Sequence, residues 1–163
     1  AEAEAQLKKV RPYVRYFSST RMLNDLPNRE VCIAMSWSGD YAQAMARAKE
    51  VGADVNLAYY VPREGALYWF DGVFIPVDAP HPDNAHLFLN YLLRPEVIAA
   101  ISNETHYANA NMLSFPFMLT EVANDPATYP PQEEKDRAVT GYLFGPKDER
   151  RRTRAWSRVK TGL

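Results

Sequence analysis

Cysteine is nearly absent: Cys32 is the only one in 163 residues, so no internal disulfide can form and the fold must rest on apolar burial. It lies in the run "VCIAM" (31–35), where a lone cysteine is expected to pack as a small buried hydrophobe. Histidine is scarce too. His81, His86 and His106 lack the Cys or paired-carboxylate spacing of a metal site, so no metal is expected. None of the seven glycines belongs to a phosphate-cradling loop, and no cofactor is expected. Ser36-Trp37-Ser38-Gly39 lacks the first glycine of a nucleophile elbow and has no evident triad partner, which argues against an enzyme. Excess charge is missing as well: 19 Lys plus Arg face 20 Asp plus Glu, a formal charge of -1, so no global attraction to nucleic acid follows. No apolar run reaches the roughly 18 residues of a membrane helix, and the opening "AEAEA" is not a signal peptide.

What is present is apolar and patterned. With 47% hydrophobic residues, a chain of this length is expected to form a sizeable core. Helix formers fill 3–12, ending at Pro12, and Ser18-Ser19-Thr20 offers caps for a short helix carrying Met22, Leu23 and Leu26. The run 31–35 has the length and continuity of a strand covered on both faces. At Ser38 the period becomes helical, with Tyr41, Ala44, Met45 and Ala48 in one stripe and Gly52 where a helix would stop. Strands are expected at 56–61 and 68–76, helices at 83–93 and from Pro95, a Pro-punctuated stretch at 107–147 with a helical piece at 117–124, and a charged helix at 148–160. Alternating strands and helices indicate an α/β fold with a largely parallel sheet.

Two Trp/Asp pairs stand out. In the strand-like "YWFD" (68–71), Trp69 and Asp71 are two apart and share a face. In "SWSGD" (36–40), Trp37 and Asp40 sit where a strand hands over to a helix, the edge at which open α/β sheets bind ligands. An ionised carboxylate among rings is costly unless donors or a cation meet it. Each pair has an ordinary explanation: backbone donors, an internal Arg or solvent for Asp71, and helix capping by Ser38 and Asp40. The alternative is a bound cation with an apolar body, such as a diamine, its ammonium groups on carboxylates and its methylenes against rings. The basic stretch Arg150-Arg151-Arg152-Thr153-Arg154 is expected to be a solvated or ion-paired helix face rather than a phosphate site.

The segment "NAHLFLNYLLRPEVIAAI" (84–101) resembles one shared by the extracellular solute-binding proteins of ABC importers. "WSGDYAQAMARAKE" (37–50), "VPREGALYWFD" (61–71), "YANAN" (107–111), "YPP" (129–131) and "RTRAWSRVKTG" (152–162) resemble the putrescine/spermidine-binding members. This resemblance implies a periplasmic-binding-protein-like (type II) fold of two lobes, of which the chain matches the C-terminal half, and a periplasmic location. It implies a polyamine ligand held by Trp37, Asp40, Trp69, Asp71 and Tyr107, with Ser19 near the cleft, and a membrane permease as partner. Another cationic solute, a quaternary amine or a basic amino acid, and a non-enzymatic interaction module are the alternatives. By analogy, residues 1–50 belong to one lobe, 51–122 cross to the second, and 123–163 return to the first. Since neither lobe would be complete, the N-terminal half of the protein or self-association is expected to cover the open edges.

Overall fold

The computed structural model describes residues 2–141 and 143–162. Eight helices (α1–α8) and one two-stranded parallel pairing (β1, β2) make up its regular structure among the described residues. Helix α1 (Glu2–Val10) runs into a 3-10 turn at Arg11–Tyr13, where Pro12 removes a backbone donor. The short α2 (Met22–Asp25) follows; Arg21, rather than one of the expected residues 18–20, holds its N-cap and no side chain caps it, while Ser18 Oγ accepts from the Thr20 and Arg21 amides at 3.4 and 3.2 Å in the bend before it. Helix α3 (Ser38–Glu50) places Ala44 and Ala48 inside. It stops at Gly52, whose φ of +64° is the left-handed conformation that a side chain would oppose. Met22, Leu23 and Ala44 form a core cluster, with Leu26, Ala34 and Leu57 packed against it.

Helices α4 (Pro82–Leu92) and α5 (Pro95–Thr105) both start on a proline at the first helical position, where the missing N–H costs nothing. Helix α5 ends at His106 in the left-handed conformation and packs on the 3-10 segment Met112–Phe117. Within 107–147 the sequence predicts a helical piece only at 117–124, whereas the structure has the Met112–Phe117 segment, a shorter α6 (Thr120–Ala123) and a further helix α7 (Gln132–Arg137); α8 (Pro146–Thr161) then closes the chain against α1. A bidentate ion pair fixes that last contact: Arg158 Nε and Nη2 donate to the two Glu4 oxygens at 2.7 and 2.8 Å. On α8, Arg151 and Arg152 pair with Asp148 and Glu149, the ion-paired face expected of the arginine run.

The strands depart from expectation. Among the described residues only Leu67–Tyr68 (β1) and Val139–Thr140 (β2) pair, in parallel, with Leu67 opposite Val139. Residues 31–35, 56–61 and 69–76 form no helix and no strand ladder among the described residues. The reason is backbone pairing: a strand-like run becomes a strand only when a neighbour accepts and donates its hydrogen bonds. Nor is 31–35 covered on both faces. Val31 and Ala34 are half-buried, whereas Met35 is fully open at 101% and Cys32 is exposed rather than buried. Through 55–61 burial alternates with period two, as a sheet layer covered on one face would have it.

Tight packing decides where β1 lies. Gly65, with φ +97°, heads the turn before it, and a Cβ there would meet the Arg137 carbonyl group, whose carbon is 3.1 Å away and whose oxygen is closer still. The Val139 amide donates to the Ala66 carbonyl at 2.9 Å. The α7–β2 segment therefore straps the stretch that leads directly into Trp69 and Asp71.

Candidate ligand-binding site

The two Trp/Asp pairs, 32 positions apart in the chain, meet in space. Trp37 and Trp69 pack edge to face, centroids 5.7 Å apart with an interplanar angle of 78°, a favourable arrangement for two quadrupoles. Tyr68 and Phe70 pair with each other at 5.0 Å, the opposite-side grouping that the two-residue alternation requires. The indoles of Trp37 and Trp69 remain 51% and 55% exposed, so the contact leaves ring surface free.

Asp40 is the third residue of α3, and Trp37, rather than the expected Ser38, occupies the N-cap. The Asp40 Oδ2 accepts from the Trp37 amide at 3.4 Å and from the Ser36 hydroxyl. This is one half of a capping box; the other half cannot form, because an indole N–H is a donor only. Capping thus explains part of Asp40, and among the described residues those bonds both fall on Oδ2. Asp71 is exposed just beyond β1. Among the described residues neither carboxylate forms an ion pair.

Tyr107 joins the two halves. Its phenol is pushed above the usual tyrosine range chiefly by burial, then by the negative charges of Asp40 and Asp71 and by Tyr59, while a hydrogen bond from the Gly39 amide opposes the shift. Both carboxylates therefore lie near enough to the phenol for their charges to act on it. The loop holding Tyr107 is built by asparagines: Asn109 Nδ2 donates to the Ser102 hydroxyl at 2.9 Å, and its Oδ1 accepts from the Ser114 hydroxyl at 3.0 Å and the Asn111 amide at 2.9 Å. Ser102 and Ser114 are buried, so these bonds satisfy groups that would otherwise cost free energy. The sequence motif "YANAN" is, in structural terms, the mount for one ring.

Ser19 is exposed in the bend leading to α2. Its hydroxyl has no described contact with the ring cluster. Residues not singled out from the sequence include Ser36, which donates to Asp40, and Tyr59, whose ring lies 6.1 Å from that of Tyr41. The period-two burial of 56–61 placed Tyr59 inward; nothing in the sequence tied it to Tyr107. A hollow of about 560 Å³ lies elsewhere, between α4 and α5 and lined by Tyr91, Glu96, Val97 and Ile101 among others. It is open, with Glu96 and Glu104 as its carboxylates and Tyr91 as its ring, and it includes none of the residues of the Trp/Asp cluster. No group of three or more potential metal ligands occurs among the described residues.

Asp40 and Asp71 form no ion pair among the described residues, and the neighbouring Trp37 and Trp69 rings stay half-exposed. The chain belongs to the family described as bacterial extracellular solute-binding protein, whose model matches residues 1–130. It is 46% identical over 156 residues to the putrescine-binding periplasmic protein PotF of Escherichia coli (strain K12), covering 96% of this chain and 42% of that protein. It is 41% identical over 161 residues to a putrescine/agmatine-binding protein of Pseudomonas aeruginosa, covering 99% and 44%. A spermidine/putrescine-binding periplasmic protein of Escherichia coli (strain K12) is 31% identical over 128 residues, covering 78% and 35%. The chain thus spans less than half the length of the curated relatives it matches.

Proposed function

We propose that the chain forms part of a cage in which a periplasmic solute-binding protein holds a polyamine, such as putrescine or spermidine, for delivery to the membrane permease of an ABC importer. The observation that carries this reading is the convergence of Asp40, Asp71 and Tyr107 beside the Trp37–Trp69 pair, with both carboxylates free of internal cations among the described residues. At about 4 Å and an effective dielectric near 20, an ammonium and a carboxylate attract by about 4 kcal/mol, enough to offset much of the cost of drying both. The rings cover the methylenes between the charges and present their faces to the cations. A carboxylate for each end also disfavours ligands carrying an anionic group. The relatives named for putrescine, agmatine and spermidine support the same ligand chemistry.

The proposed architecture is a two-lobed, type II solute-binding fold. The Arg158–Glu4 pair supports placing 1–50 and 123–163 in one lobe, and the α4, α5 and Met112–Phe117 packing supports a second body within 51–122. On that division Trp37 and Asp40 come from one lobe and Trp69, Asp71 and Tyr107 from the other, so their contact lies across the cleft. Ligand binding would favour the closed arrangement and so present a surface to the permease. The open apolar faces are covered by the N-terminal half of the protein or by another copy, and Ser19 lies at the margin of the cleft.

Calorimetric titration of putrescine and spermidine into the natural protein at its full length, with choline and lysine as controls, tests the reading. Saturable binding of the polyamines, weakened by Asp71→Asn by roughly tenfold to a hundredfold, is expected from the loss of a charge-assisted contact. Unchanged affinity in Asp71→Asn removes that residue from the site.

A further inference from the structure

Gly39 has no backbone reason to be glycine. It is the second residue of α3, and the glycines with positive φ are Gly52, Gly65 and Gly162. Glycine inside a helix is unfavourable relative to alanine. What the position lacks is room: it is buried, and a Cβ built there would lie 2.7 Å from Tyr107 Cζ and 2.8 Å from the Thr105 carbonyl oxygen, with Tyr107 Cε2 nearer still. The phenol occupies the volume of the missing side chain.

Resting on the polyamine reading above, we propose that Gly39 is a positioning residue: its bare backbone is the seat that holds the Tyr107 ring between Asp40 and Asp71. The ring's own backbone is held from the other side and has little freedom to retreat. His106 ends α5 in the left-handed conformation, Thr128 Oγ1 donates to the His106 carbonyl at 3.1 Å, and the Tyr107 amide donates to Thr105 Oγ1 at 3.4 Å. The Asn109 bonds fix the next turn of chain. A methyl group at position 39 therefore has to rotate the ring out of the site. The Gly39 amide belongs to the first turn of α3, whose backbone donors lack intrahelical partners, so a ring seated on it also shields it from water.

The test is a double-mutant cycle in the natural full-length protein, read as putrescine affinity by calorimetry for the wild type, Gly39→Ala, Tyr107→Ala and the double variant. Gly39→Ala is expected to weaken binding by roughly tenfold, and by less than about twofold once Tyr107 is already alanine. Wild-type affinity in Gly39→Ala overturns the proposal. So does a loss of the same size in both backgrounds, which would place the effect on α3 itself or on the Thr105 carbonyl. Should Gly39→Ala not fold, amide exchange at Gly39 decides: it is expected to quicken in Tyr107→Ala, and an unchanged rate refutes the seat. A wild-type protein that binds neither putrescine nor spermidine sinks the polyamine reading instead, while the exchange comparison still reports on the Gly39–Tyr107 contact.

Discussion

Asp40 and Asp71 carry the same group in different settings, and this separates their effects. Asp40 works inside the protein, accepting from the Trp37 amide and the Ser36 hydroxyl, so Asp40→Ala is expected to cost stability of about 1 kcal/mol, the usual value of a lost helix cap, as well as affinity. Asp71 is exposed and has no described cation, so Asp71→Ala is expected to leave the melting temperature nearly unchanged while weakening polyamine binding. Thermal melts and titrations on the two variants check the contrast. Equal losses of stability would mean that Asp71 has an internal role. The Trp/Asp spacing made both residues visible in the sequence, since unpaired charges among rings require a counterpart. Gly39 and Tyr59 were not visible, because their roles depend on which ring is placed against them.

Among the elements, the helices follow local signals closely. Prolines open α4, α5 and α8, and left-handed residues end α3, α5 and α8 at Gly52, His106 and Gly162. The docking of α1 on α8 depends on Arg158, whose bidentate hydrogen bonds, with help from Lys8, hold the Glu4 carboxyl down to about 2 from an ordinary value near 4.5. A carboxyl lowered in the folded state contributes stability that is complete above its unfolded value and is lost as pH falls through its folded one. The difference in melting temperature between wild type and Glu4→Gln is therefore expected to be constant above about pH 4.5 and to close between there and about pH 2. A difference that persists at pH 2 would show that packing, rather than charge, holds the two helices.

For the molecule as a whole, the exposed apolar surface is the dominant feature. Ile33, Met35, Tyr60, Phe70, Phe74 and Val77 are open to water, several on runs that form no ladder among the described residues. Contiguous apolar faces and free strand edges on this scale recruit partners. The 163-residue chain produced by itself is expected to self-associate, and light scattering coupled to size-exclusion chromatography checks this. A monomer that melts cooperatively would contradict it and would mean that these runs pair with one another in solution.

The sequence by itself determined the longer helices, the proline starts and glycine stops among them, and the residue types at the site, because helical periodicity, proline and glycine positions and costly carboxylates are written locally. It also carried the family, through motifs spread along most of its length. The tertiary structure alone decided which strand-like runs pair, that Cys32 faces outward, that Trp37 rather than Ser38 caps α3, and that a phenol fills the space beside Gly39. Each of these depends on what lies across a gap from the residue concerned, and hydrogen-bond partners and packing neighbours come from distant parts of the chain.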